Sequence, residues 1–161
     1  MKKKLIVNNT NYTFLYTEDA NLWVIAESTN LLSGYKIDLE IDLKLLGKDI
    51  NWNEVSDFIF YLQRRTDKTN KDVITKSNIA LKGLFNSIYI DSFTEQVKSN
   101  IEFKLSGINY KKTISTRLGN KYEYDLFFFP YNAKDKHMDI GTFTWNVKMR
   151  GNVLYGVNCD I

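Results

Sequence analysis

Residues 35–45, Tyr35-Lys36-Ile37-Asp38-Leu39-Glu40-Ile41-Asp42-Leu43-Lys44-Leu45, alternate apolar and charged side chains without a break. Successive side chains of a strand point to opposite faces, so this stretch reads as a strand with one apolar and one charged side. Tyr35, Ile37, Leu39, Ile41, Leu43 and Leu45 share the first face; Lys36, Asp38, Glu40, Asp42 and Lys44 share the second. Like-facing neighbours lie about 6.5–7 Å apart along a strand. The carboxylates therefore form a row bracketed by two ammonium groups, and the apolar side demands a core.

Upstream, Leu5–Val7, Tyr12–Tyr16 and Leu22–Glu27 read as further strands, with a turn at Asn8-Asn9-Thr10-Asn11 and a loop from Asn30 to Gly34. Downstream the period changes. Trp52, Val55, Phe58, Ile59 and Leu62 recur on one helical face. Asn51 is a good N-cap, Glu54 completes a capping-box-like start, and Arg64 and Arg65 suit the negative end of the helix dipole. Residues 66–72 are polar and read as a solvent-exposed connection. Ile74, Asn78, Leu81, Leu84, Phe85 and Ile88 favour a second helix over Thr75–Phe85, although Ser87–Asp91 also suits a strand.

The last third reads as a meander. Ser106-Gly107, Gly119-Asn120 and Gly151-Asn152 are turn signals. They separate Asn100–Leu105, Asn109–Leu118, a stretch in which Tyr122, Tyr124, Leu126 and Phe128 alternate with Lys121, Glu123, Asp125 and Phe127, and a final strand Val153–Cys159. Phe143, Trp145, Val147 and Met149 share a face after a loop at residues 130–138. The expected architecture is a single α+β domain over residues 1–161, a twisted and mostly antiparallel sheet with one or two helices packed on one face.

Composition narrows the function. Of 161 residues, 43% are hydrophobic and 14% aromatic, enough to bury a core and too many for a disordered chain. The net charge of +3 comes with 18 scattered Lys against 4 Arg. Nucleic-acid sites favour clustered charge and Arg forks, so no nucleic-acid partner is expected. One cysteine forms no internal disulfide. The basic start, Met1-Lys2-Lys3-Lys4, precedes only Leu5-Ile6-Val7, far short of a signal-peptide core, and no run suits a membrane span. A cytoplasmic protein with no membrane partner is expected.

Candidate chemistry is sparse. Asp38, Glu40 and Asp42 are too widely and regularly spaced to converge on one metal ion; they suit a basic partner, or pair with Lys104, Lys121, Lys148 or Arg150 on neighbouring strands. His137, the only histidine, and Cys159 read as a surface residue and an inert thiol, too few for a zinc site. No glycine-rich phosphate loop or nucleophile elbow is present, so neither a cofactor nor a catalytic set is expected. Phe127, Phe128 and Phe129 place aromatic rings on both faces of one strand, where a one-sided sheet keeps one face polar. Phe127 or Phe129 is then covered by a helix, lines a pocket, or with Tyr131 forms a patch for a partner.

These features point to a non-enzymatic protein-interaction domain whose partner-binding residues are Asp38, Glu40, Asp42, Phe127, Phe129 and Tyr131. Neutralisation of a protein partner, as toxin-immunity proteins do, is the form this takes in many small bacterial proteins, and no motif here specifies it. A small-ligand-binding or hydrolytic domain with an aromatic-lined pocket is the alternative. A structural or assembly subunit, which would form a concentration-dependent oligomer, is the third reading.

Overall fold

Ile37, Leu39 and Ile41 are fully buried while Asp38, Glu40 and Asp42 face the other way, as strict alternation requires. The computed structural model describes residues 1–42, 49–141 and 143–160, so Leu43, Lys44 and Leu45 of the alternating stretch lie outside the described residues. Strands β1 (Lys2–Val7), β2 (Thr10–Thr17), β3 (Leu22–Ser28) and β4 (Ile37–Asp42) form one antiparallel meander. Helices α1 (Trp52–Arg64), α2 (Asp67–Ile88) and α3 (Glu95–Ser99) follow. Strands β5 (Ile101–Thr116), β6 (Gly119–Asn132), β7 (Thr144–Arg150) and β8 (Val153–Asp160) form a second meander.

The two meanders join into one eight-stranded sheet ordered β1 to β8, with β4 and β5 the single parallel pair. Parallel neighbours need a long crossover, and this one contains the helices. The fold is α+β, an almost wholly antiparallel sheet with two main helices on one face. Helix α1 lies against β1 and β5, and α2 against β5, β7 and β8. No helix among the described residues is long and apolar enough to cross a membrane.

Local chemistry accounts for the helices. The Asn51 side chain accepts from the backbone N–H groups of Asn53 and Glu54, and α1 buries Val55, Phe58, Ile59 and Leu62. The Glu54 carboxylate meets the Tyr110 hydroxyl of β5 at 3.4 Å. Residues 66–72 are not an exposed connection. Thr66 caps α2 by accepting from the Thr69 N–H, and the helix runs 22 residues. Its first turns are polar because they face solvent, with only Asn70 and Val73 turned inward. Residues 87 and 88 end this helix rather than starting a strand.

Aromatic rings fill the space between helices and sheet. Phe58 packs on Tyr110 at 4.9 Å and on Tyr124 at 5.3 Å; Phe85 packs on Trp145 at 5.6 Å. Trp52 bridges Phe14 at 5.3 Å and Trp23 at 5.4 Å. Aromatic pairs at these separations add about 0.5–1.5 kcal/mol each beyond area burial.

The turns depart from expectation in instructive ways. The first tightens to Asn8-Asn9, both at positive φ (48° and 62°), a geometry asparagine tolerates. Gly151-Asn152 turns as expected between Arg150 and Val153. The Gly119-Asn120 signal is displaced: Arg117-Leu118 make the turn, and Gly119, at φ +112°, opens β6. Ser106-Gly107 is no turn at all. It lies within the 16 residues of β5, where the register against β6 shifts between Leu105 and Gly107. A Cβ at Gly107 would stand 3.2 Å from the Asp38 carbonyl oxygen, so glycine here serves the close approach of β4.

Two glycine substitutions separate these roles. Gly107→Val is expected to destabilise by about 1–3 kcal/mol through overpacking at the β4–β5 seam. Gly83→Ala, at an exposed α2 position with nothing within 4 Å of the new methyl, is expected to stabilise by about 0.5–1 kcal/mol. Denaturant midpoints at unchanged slope measure both.

Candidate functional site

The face of the sheet turned away from the helices carries the charged side of β4, and the register shows what lies beside it. Glu40 is opposite Asn109, Asn109 opposite Asp125, and Asp125 opposite Lys148. One row away, Asp38 is opposite Gly107, Gly107 opposite Phe127, and Phe127 opposite Asn146. Because Gly107 has no side chain, a gap opens between the Asp38 carboxylate and the Phe127 ring. A hollow of about 350 Å³ occupies it, lined by Asp38, Glu40, Ser106, Phe127, Phe129 and Asp160, among others.

The structure thus brings Asp38, Glu40, Phe127 and Phe129 into one hollow, although Asp38 and Phe127 are far apart in sequence. Asp42 continues the row on β4 beyond Glu40. Asp38 and Phe129 also line a larger hollow of about 840 Å³ with Tyr131, Lys36 and Lys104. Phe127 and Phe129 are not covered by a helix; they lie on the open face, with Phe129 56% exposed. The Tyr131 hydroxyl donates to Glu102 at 2.8 Å, a bond that, with burial second, pushes the phenol above its ordinary range.

Among the described residues no ion pair joins Asp38 or Glu40 to Lys104, Lys121, Lys148 or Arg150. Arg150 donates to Glu123 at 2.6 and 2.9 Å, and Lys148 lies opposite Asp125. Among the described residues neither Asp38 nor Glu40 has an ion pair. Asp38 accepts from the Glu27 N–H at 2.6 Å and so holds the bulge at which Glu27 adopts a φ of +50°. Burial raises the Glu40 carboxyl above its ordinary value; the neighbouring Asp38 and Asp42 charges add to this, and Lys111 opposes it.

A second acidic pair on this face is neutralised. Lys111 reaches Asp125 at 3.1 Å and Lys112 reaches Glu123 at 3.3 Å. Strict alternation would send these two lysines to opposite faces; a register shift between Tyr110 and Lys112 puts both on the open one. Burial alone would raise the Glu123 carboxyl, but hydrogen bonds from Arg150 and Lys112 prevail and hold it low. Asn109 and Asn146 are also buried here, each with a side-chain carbonyl that has no protein donor. These paired and orphaned groups escaped sequence reasoning, because no pattern in one strand reports what a neighbouring strand places beside it.

The arrangement offers acceptors to a cationic or donor-rich group at Asp38, Glu40 and the asparagine carbonyls, with exposed aromatic area at its rim. Among the described residues no cluster of His, Cys, Asp and Glu could hold a metal ion. Cys159 packs partly buried against the core, and burial, then Asp160, raises its thiol above the ordinary range, the opposite of what activates a nucleophilic cysteine. His137 is exposed in the loop after β6, its backbone N–H bonded to Asp135. No protein-family model, curated protein or solved structure matches the chain.

The Glu40 shift has a signed consequence. A folded carboxyl raised above the unfolded value binds its proton more tightly, so ionisation opposes folding as pH rises past the ordinary 4.5. Glu40→Gln is expected to raise the denaturation midpoint at neutral pH, with the gain disappearing below that value. Glu123→Gln, at a carboxyl held low, is expected to lower the midpoint at neutral pH, with the loss shrinking in acid. Midpoints between pH 3 and 7 check both.

Proposed function

We propose that the protein is a non-enzymatic interaction domain that binds a basic protein partner on the open face of its sheet. Asp38, Glu40 and Asp42 supply the charge; Phe127, Phe129 and Tyr131 supply apolar anchors. The observation that carries the reading is the hollow over Gly107, where Asp38 and Glu40, without an ion pair among the described residues, meet the half-buried Phe127 and exposed Phe129 rings. Interfaces draw most of their affinity from a few buried aromatic or guanidinium anchors and their specificity from charge. A Lys or Arg side chain entering this hollow relieves the mutual repulsion between Asp38 and Glu40, while its stem lies against Phe127. Neutralising such a partner is one use of a face of this kind.

The neutralised Glu123 network limits the binding region. Its charges already satisfy one another, so it frames the site rather than recruiting ligand.

Titration of ¹⁵N-labelled protein with an Arg- and Lys-rich peptide reads the site directly. Amide shifts are expected at residues 38–42, 106–109 and 125–129, with affinity falling as salt rises. Glu40→Lys is expected to abolish binding with an unchanged circular dichroism spectrum, and Phe129→Ala to weaken it by about 1–2 kcal/mol. Shifts confined to other surfaces, or unchanged binding by Glu40→Lys, contradict the proposal.

A further inference from the structure

A separate cavity of about 590 Å³ lies at the junction of α1 and α2, over the turns that begin β6 and join β7 to β8. Its most unusual feature is Arg65. The side chain is 9% exposed, its Nη1 donates to the Tyr124 hydroxyl at 2.7 Å, and its Nε has no acceptor. Tyr124 in turn donates to the Gly151 carbonyl at 2.8 Å, so it carries no counter-charge to the site. Burial of a guanidinium is costly unless an anion compensates it. Among the described residues neither Arg65 nor Arg64 has an ion pair.

The rest of the lining points the same way. Arg64 stands over the Phe60 ring at 5.2 Å, and Arg65 over the Tyr61 ring at 5.9 Å. Thr66 and Thr69 bring the positive end of the 22-residue α2 to the same wall. Asp57 is the one acid in the lining, and its charge helps, after burial, to raise the Tyr122 phenol. Phe60 is 39% exposed and Tyr61 is half-buried, its hydroxyl donating to Asn152 at 2.6 Å. Two guanidiniums and a helix terminus therefore face one carboxylate, beside flat apolar surface, in a volume suited to a small molecule.

We infer that this cavity binds a small phosphate monoester carrying an aromatic ring. The phosphate compensates Arg65, with Arg64 at the mouth, and the ring lies against Phe60 and Tyr61. A doubly charged oxyanion answers the excess positive charge better than a single carboxylate does, and it accepts several hydrogen bonds in the geometry that guanidiniums offer. The site lies on the helical side of the molecule and does not depend on the sheet face described above.

Titrations of the ¹⁵N-labelled protein with inorganic phosphate, adenosine monophosphate and adenosine test each part. Saturable shifts at Tyr61, Thr66, Thr69 and Asn152 are expected, with the monophosphate tighter than either phosphate or adenosine. Arg65→Lys is expected to weaken monophosphate binding at least about tenfold, through loss of the planar fork. Arg64→Gln, at an exposed position that leaves folding intact, is expected to weaken it about threefold or more. Absence of saturable shifts with any of the three, adenosine binding as tightly as its monophosphate, or full affinity in both variants overturns the inference.

Discussion

The close approach of the Asp38 carbonyl to the bare α-carbon of Gly107 is the contact on which the rest depends. It lies in the parallel β4–β5 pairing, where two separately antiparallel meanders become one sheet. A side chain at position 107 would meet backbone on one side and the Phe127 ring on the other. Parallel pairing carries an entropic cost, because the chain must close the long helical crossover. The seam therefore gathers what the chain keeps apart: acids from the first meander and aromatic rings from the second.

The two faces of that sheet solve different problems. Toward the helices, Phe58, Tyr110, Tyr124, Phe85 and Trp145 pack ring on ring, and the buried phenols find acceptors. Away from the helices, charge must be settled within the sheet. Arg150 and Lys112 settle Glu123, and Lys111 settles Asp125. Glu40 is half-buried beside the like-charged Asp38 and Asp42, and burial first, then those charges, raise its carboxyl against the opposing pull of Lys111. The proposed binding of a basic partner at the β4 end rests on this asymmetry within one face.

Much of the fold was legible in the chain. The period-two alternation at residues 37–42 and the helical spacing from Trp52 to Leu62 each describe a local periodicity that packing then uses unchanged. Failures came where one residue type serves two physical ends. Gly107 looked like a turn but supplies a close approach; polar residues 67–72 looked like a loop but are the solvated first turns of α2. The short α3 also went unread, since its Thr94 cap and buried Lys98 show no apolar stripe. As for the candidate face, Asp38, Glu40 and Phe127 were nameable from their own strands. Their adjacency was not, because it rests on a parallel register and a bulge that only strand pairing specifies.

The β4–β5 seam can be tested without any ligand. Nuclear Overhauser contacts in the labelled protein report which backbone protons of adjacent strands are neighbours. The account predicts contacts of Leu39 with Ile108, Glu40 with Asn109, and Ile41 with Tyr110, advancing together along both strands. Contacts that run in opposite directions along residues 38–41 and 107–110, or none between these segments, would contradict it.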